Sequence, residues 1–108
     1  MKIAVLGAAG QIGAYLTEYL EKKGHTVHAI DKVIDPHWHD LTMPNNAYLT
    51  EKINDCDFVF FLAFAVGGSR YLKKYQHTYD FIAENTKMMA QVFQVLKDFN
   101  KKFIFASS

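Results

Sequence analysis

Hydrophobic positions along the 108 residues alternate between short unbroken runs and stretches that repeat at three and four. Ile3-Ala4-Val5-Leu6 is the first run and reads as a buried strand. From about Gln11 to Lys23 the rhythm changes: Ile12, Tyr15, Leu16, Tyr19 and Leu20 recur as on a helix, and Gly24 offers a C-terminal stop. Thr26 to Ile30 reads as a second strand, closed by Asp31. The pattern then loosens through Lys32 to Pro44, where Pro36 limits any third strand, around His37 to His39, to a short piece near an edge. Asn45 and Asn46 offer an N-cap for a helix through roughly Asn54, with Ala47, Leu49 and Ile53 as its buried positions. Phe58 to Leu62 is apolar at every position, as in a parallel strand covered on both faces, and predicts a central fourth strand. Arg70 to Phe99 holds neither proline nor glycine, and Phe81, Met88, Met89, Val92, Phe93 and Leu96 predict one long helix, with a break allowed near Thr78. Tyr71, Tyr75 and Tyr79 form a separate stripe, read as packing or partner surface. Phe103-Ile104-Phe105 predicts a fifth strand. This alternation is that of a single α/β domain over residues 1–108, a doubly wound parallel sheet of about five strands in the order 3-2-1-4-5.

The first junction carries the chemistry. Gly7-Ala8-Ala9-Gly10-Gln11-Ile12-Gly13 sits where the first strand becomes the first helix, which is where a Rossmann-type fold binds a dinucleotide. Gly7 permits the tight turn, Gly10 lets the backbone approach a pyrophosphate, and Gly13 lets the helix lie against the strand. Backbone N–H groups of the first helical turn, at Gln11, Ile12 and Gly13, then face the phosphates, aided by the helix dipole. The competing reading is an ordinary glycine-rich strand-helix turn. Asp31 argues against it, because a carboxylate about 18 residues past Gly13 is close to the spacing of about 20 at which an acid accepts the adenosine ribose hydroxyls. Asp31 favours NAD over NADP by repelling a 2′-phosphate, and the adjacent Lys32 works the other way.

Composition narrows the class. Half of the residues are hydrophobic and the net charge is +1 with Lys and Arg scattered, which suggests neither disorder nor a nucleic-acid-binding surface. The longest wholly apolar run, Phe58 to Val66, is far short of the roughly 20 residues of a spanning helix, so no membrane segment is expected. The single Cys56 excludes an internal disulfide, acts as a small apolar filler, and suits a reducing, cytoplasmic setting.

Other polar residues leave alternatives open. His37 and His39 would share one strand face, with Asp35 or Asp40 near, but no further His, Cys or Glu falls at ligand spacing and no metal is assigned. Asp40-Leu41 either lies beside an adenine, the acid on the exocyclic amine and the leucine on the ring, or is a helix-capping or loop pair. Leu62 and Ala63 begin a small-residue loop, with the glycine pair Gly67-Gly68, at the carboxyl end of a central strand, the edge at which open α/β sheets bind ligands. Asn85 interrupts an apolar helix face and either bonds backbone or reaches toward the cofactor side.

Taken in order, Gly7-x-x-Gly10-x-x-Gly13, Asp31, Asp40-Leu41, Leu62-Ala63, Asn85 and Phe103-Ile-Phe-Ala-Ser-Ser108 resemble the N-terminal part of the extended short-chain dehydrogenase/reductase superfamily, in particular its nucleotide-sugar epimerases and dehydratases. The resemblance covers the whole chain. It implies that the glycine turn binds pyrophosphate, Asp31 the ribose, and Asp40-Leu41 the adenine, while Leu62, Ala63 and Phe64 line the nicotinamide side and Asn85 supports the active site. Ser108 falls on the catalytic Ser or Thr that hydrogen-bonds the substrate hydroxyl, with Ser107 as its structural neighbour. The family's Tyr-x-x-x-Lys lies on a helix after this serine, and within these residues only Tyr19 to Lys23 and Tyr48 to Lys52 match, on the wrong helices. Without that tyrosine and lysine, hydride transfer has no general base. The sequence therefore reads as the NAD-binding portion of such an oxidoreductase, a fragment or truncated product, incomplete relative to the family and inactive alone, whose complete form acts on a nucleotide sugar. The alternative is a non-catalytic dinucleotide-sensing or partner-binding module. A flavodoxin-like or receiver-type domain is disfavoured, since it needs no three spaced glycines. Open strand edges and the tyrosine stripe predict a homo-oligomer.

Overall fold

The computed structural model describes residues 1–43, 45–63 and 79–106. Within them the chain runs β1 (Lys2–Leu6), α1 (Gln11–Lys22), β2 (Thr26–Ile30), α2 (Ala47–Asp55), β3 (Phe58–Phe61), α3 (Tyr79–Asp98) and β4 (Lys102–Phe105). All four strands are parallel, in the order β2-β1-β3-β4, with Leu6 beside both Ile30 and Phe61, and Phe61 beside Phe105. The architecture is the Rossmann-like α/β sheet, and this order is the 2-1-4-5 part of the expected one. The long helix is described from Tyr79 onward, so the proposed break near Thr78, Gly67-Gly68, Tyr71 and Tyr75 lie outside the described residues.

The strand expected around His37 to His39 is replaced by turns. Asp35 is the cause. Its Oδ1 accepts the backbone N–H groups of His37 and Trp38, each at 3.0 Å, and its carbonyl accepts that of His39 at 3.1 Å. These are the donors a ladder would need, and Pro36 brings none. His37 and His39 therefore do not share a strand face.

Strand alternation divides the core into two faces. Ala4, Leu6, Ile30, Val59 and Phe61 point toward Leu49 and Ile53 of α2 and Met88, Val92 and Leu96 of α3. Ile3 and Val5, with Val27 and Ala29, point the other way, toward Leu16 and Leu20 of α1. Phe61 is fully buried, its ring 5.5 Å from that of Phe93 and 5.1 Å from that of Phe105, and burying a side chain of this size contributes about 2–3 kcal/mol. Cys56 fills the same face; its Sγ–H donates to the Ile53 carbonyl, and burial pushes the thiol pKa up.

The second face is covered less than the sequence pattern suggests. Ile12, Tyr15 and Tyr19 are exposed although they share helical spacing with buried Leu20. The reason is position: α1 packs on β1 and β2, so Phe60 and Leu62 on this side of β3 remain half-buried. Among the described residues, β3 is thus sealed on one face only. Ala47, taken as a buried position of α2, is exposed, whereas Leu49 and Ile53 are buried.

Three of the helix ends have an identifiable cap or stop. After α1, Gly24 takes φ +90°, its N–H donating to Glu21 O and that of His25 to Leu20 O, which is the Schellman arrangement. After α3, Asn100 at φ 51° does the same without glycine, with Asn100 N–H on Lys97 O and Lys101 N–H on Leu96 O. Asn46 caps α2, its Oδ1 accepting the Leu49 N–H at 3.0 Å, while its Nδ2 donates to the carbonyls of Trp38 and Asp40. One buried side chain thereby ties the start of α2 to the loop that carries Asp40.

Candidate functional site

The site begins at the carboxyl end of β1. Gly7 has φ +96°, and its N–H continues the ladder to Ile30 O at 2.8 Å. A Cβ there would stand 2.7 Å from the Ala63 nitrogen and 2.9 Å from the Leu62 carbonyl carbon, so this glycine is required by both conformation and the close approach of β3's end. A Cβ on Gly13 would run into the Gly7 carbonyl, which confirms its expected part in seating α1 against β1. Gly10 differs. Among the described residues, the nearest atom to a Cβ placed there is Gly7 O, at 3.4 Å, an ordinary contact. The described residues therefore set no steric need for glycine at this position, and the space they leave in front of an exposed backbone fits an external group.

Gly10 is also the N-cap of α1, and no side chain caps that end; nor is there an acid in the first turn. The initial N–H groups of a helix lack intrahelical partners, and the dipole makes this end attractive to an anion. The turn is therefore suited to phosphate.

Asp31 is joined to this turn directly. Its Oδ2 accepts the Ala9 N–H at 3.1 Å and its Oδ1 accepts the Val33 N–H at 3.0 Å. A carboxylate has about four lone-pair sites, so two remain for hydroxyl donors. Asp40 is fixed in the same manner: its Oδ1 accepts the Thr42 N–H at 3.0 Å and the Thr42 hydroxyl at 2.6 Å. Burial acts to raise the Asp40 pKa, but the two Thr42 bonds, Lys32 and His37 outweigh it and hold the carboxyl below the ordinary value. Lys32 Nζ lies 3.9 Å from Asp40 and 4.0 Å from Glu84 of α3, a loose, half-exposed pairing of little energetic weight.

Gly7, Asp31, Lys32, Asp40, Leu41 and Ala63 come together around one cleft, joined by His39, Thr42, Glu84 and Met88. Leu41 is only 5% exposed, shared between this cleft and the core. Gln11, Ile12 and Leu62 are placed elsewhere, in an open apolar groove with Tyr15, Leu16, Tyr19 and Phe60. Asn85 is buried on α3, one position after Glu84. Phe64, Ser107 and Ser108 lie outside the described residues.

The sequence reading missed Glu84, Met88 and Thr42 as lining residues. Glu84 and Met88 stand four apart on α3 and so share a face; Met88 was read only as core, and Glu84 was not singled out. His39 was weighed as a metal ligand. Here both ring nitrogens are within hydrogen-bonding distance of protein groups, and among the described residues no three His, Cys, Asp or Glu side chains are gathered for a metal ion. The two stray Tyr-x-x-x-Lys matches are surface pairs, with the Lys23 ammonium 5.6 Å from the Tyr19 ring and that of Lys52 5.5 Å from the Tyr48 ring. Among the described residues no helix is long and apolar enough to cross a membrane.

Residues 3–108 match the profile of the NAD dependent epimerase/dehydratase family. Solved structures give the same fold at low identity. A short-chain dehydrogenase/reductase superfamily protein from Agrobacterium tumefaciens with bound NAD superposes with a TM-score of 0.76 at 20% identity, covering 100% of this chain and 33% of that one. UDP-N-acetylglucosamine 4-epimerase from Bacillus cereus follows at 0.68 and 23%, covering 100% of this chain and 40% of that one. The L780 UDP-rhamnose synthase from Acanthamoeba polyphaga mimivirus gives 0.64 and 17%, with 97% and 36% covered. The chain thus spans between a third and two fifths of the length of these proteins. No curated protein matches it.

Proposed function

Because the chain belongs to the NAD-dependent epimerase/dehydratase family, we propose that residues 1–108 are the dinucleotide-binding domain of a nucleotide-sugar epimerase or dehydratase and bind NAD, in preference to NADP, across the glycine turn and the adjoining cleft. The observation that carries this reading is the space at Gly10, which the described residues leave open beside helix N–H groups with no side-chain cap and an acid tied to the same turn. Gly7, Gly10, Gln11, Ile12 and Gly13 hold the pyrophosphate, Asp31 the ribose with Lys32 beside it, and Asp40 with Leu41 the adenine. Leu62, Ala63 and Phe64 lie toward the nicotinamide, with Asn85 supporting the site. Bound NAD supplies a hydride acceptor for the carbon bearing a sugar hydroxyl. Ser108 hydrogen-bonds that hydroxyl.

In this reading the 108 residues bind cofactor without turnover, the family's tyrosine being expected on a helix after Ser108, whereas Tyr19 and Tyr48 belong to α1 and α2. The protein is cytoplasmic, in keeping with one buried, unpaired cysteine. Copies of the chain associate through uncovered apolar surface. The test is titration calorimetry of NAD against the chain and its Gly10→Val variant. Affinity is expected to fall by at least about tenfold, while stability drops by no more than the small cost of a poorer N-cap. Equal affinity in the two proteins sinks the assignment, and measurable epimerase or dehydratase turnover by the purified chain refutes the inactivity.

A further inference from the structure

His39 stands behind Asp31, only 6% exposed although residues 32–34 and 36–38 of the same loop are open to solvent. Its Nδ1 is 3.1 Å from the backbone nitrogen of Asp31 and 3.2 Å from the Asp31 carbonyl oxygen, and its Nε2 is 3.3 Å from the Tyr48 hydroxyl. A neutral imidazole has one donor and one acceptor nitrogen, so only one of the Nδ1 contacts is a hydrogen bond at a time. With the proton on Nε2, the ring gives it to Tyr48 and accepts the Asp31 N–H. Tyr48 fixes the ring further by stacking on it, centroids 5.1 Å apart and planes 26° from parallel. Tyr48 belongs to α2, whose start is joined to the same loop by Asn46. The imidazole is therefore anchored to a rigid element and, in turn, holds the main chain of Asp31.

That hold has a directional consequence. Ala9 and Val33 fix the two oxygens of the Asp31 carboxylate from the front, and both belong to turns. The backbone of Asp31 is set from the rear by His39 alone among side chains of the described residues. We propose that His39 is a positioning residue for cofactor recognition: it holds the backbone of Asp31 so that the carboxylate's remaining lone pairs meet the ribose hydroxyls of the adenosine half. This rests on the dinucleotide reading above. His39 acts through Asp31 and leaves the phosphates to the glycine turn, so its loss should erase discrimination at the ribose rather than all nucleotide binding.

The test uses ADP and 2′-deoxy-ADP, which differ by one hydroxyl, titrated by calorimetry into the full chain and two variants. His39→Leu fills much of the same space but offers the Asp31 N–H no acceptor. His39→Asn places its Oδ1 at the same bond distance from Cα as Nδ1 and can accept that N–H. The wild-type chain should prefer ADP by about three- to tenfold, the range of one hydrogen bond. His39→Leu should bring the ratio near one, and His39→Asn should restore it. If His39→Leu weakens both nucleotides equally and keeps the ratio, the residue is merely structural and the proposal fails. A wild-type ratio of one overturns it as well while leaving the phosphate-binding turn intact, whereas failure of the wild-type chain to bind ADP or NAD overturns the dinucleotide reading itself.

Discussion

The carboxylate of Asp31 accepts the backbone N–H of Ala9 across 22 residues of sequence, at 3.1 Å. This bond closes the glycine turn against the end of β2, so the residue proposed to read the ribose also sets the shape of the turn proposed to meet the pyrophosphate. The two proposed roles, separated in the sequence, are coupled through one side chain.

Coenzyme choice follows from that position. A 2′-phosphate would enter beside the Asp31 carboxylate, and the neighbouring cation, Lys32, faces Asp40 and Glu84 as well. NAD should therefore bind more tightly than NADP. Asp31→Ala should weaken NAD and narrow the difference, because it removes both the hydroxyl acceptor and the repulsion. Competitive titration of both coenzymes against both proteins measures this, and tighter binding of NADP to the wild-type chain would show that Lys32 outweighs Asp31.

The glycines of the turn should separate by phenotype. A methyl group on Gly13 meets the Gly7 carbonyl and the backbone of Ala8, neither of which can yield without moving α1 from β1. Gly13→Ala should cost about 1–3 kcal/mol, the usual range for overpacking. Gly10→Ala should leave stability nearly unchanged. Urea unfolding of the two variants decides the matter: equal midpoints would mean that the contact at Gly13 is relieved by a shift that the packing does not suggest.

The same contrast explains what was legible in the sequence. Gly7 and Gly13 announce themselves because glycine there is a backbone requirement, Gly10 because it completes their spacing, and the apolar strand runs and helix stops are local signals of the same kind. The stretch from Asp31 to Met43 is organised instead by carboxylates bonding their own backbone, at Asp31, Asp35 and Asp40, and no hydrophobic period reports this. Hence the strand placed at His37 to His39 was a misreading, and His39 could be seen only once Asp31 and Tyr48 were found on either side of it. The exposure of Ile12, Tyr15 and Tyr19 was hidden for another reason: spacing identifies one face of a helix but not how far the neighbouring sheet extends beneath it.

A pH dependence is expected at the opposite end of the sheet. Asp55, at the C-terminus of α2, accepts a hydrogen bond from His28 Nε2 of β2 at 2.9 Å and another from Lys2 Nζ of β1 at 3.2 Å. The His28 bond first, then that from Lys2, holds its carboxyl below the ordinary carboxylate value. A depressed folded-state pKa contributes stability that is present above the unfolded pKa and is lost as pH falls through the folded one. The stability advantage of the wild-type chain over Asp55→Asn should thus shrink as pH falls below about 4. Urea midpoints measured from about pH 3 to 5 test the sign, and an advantage that grows on acidification through that window would contradict it.

Association is the last expectation, and β4 is its centre. Phe103 and Ile104 are 42% and 50% exposed, and β4 pairs only with β3 among the described residues, so its outer N–H and C=O groups face outward. Lys101 does not guard this edge, because its ammonium is folded back onto the carbonyls of Asn54 and Cys56. Lys102 alone remains at the start of the strand, and a single terminal cation is weak protection for an apolar edge. The register adds a second surface: Phe60 lies beside Ile104 on the side of the sheet that α1 leaves bare, continuous with the groove lined by Ile12, Tyr15 and Tyr19. A contiguous apolar area of this kind, next to an open edge, favours pairing with another copy of the chain. The weight-average mass of the 108-residue chain in static light scattering should rise between about 1 and 100 μM, a range in which contacts worth about 6–8 kcal/mol become populated. Ile104→Lys, which puts a charge on both the edge and the bare face, should return the mass toward that of the monomer. A wild-type mass that stays monomeric and independent of concentration would falsify the expectation and show that the solvated edge and groove do not associate.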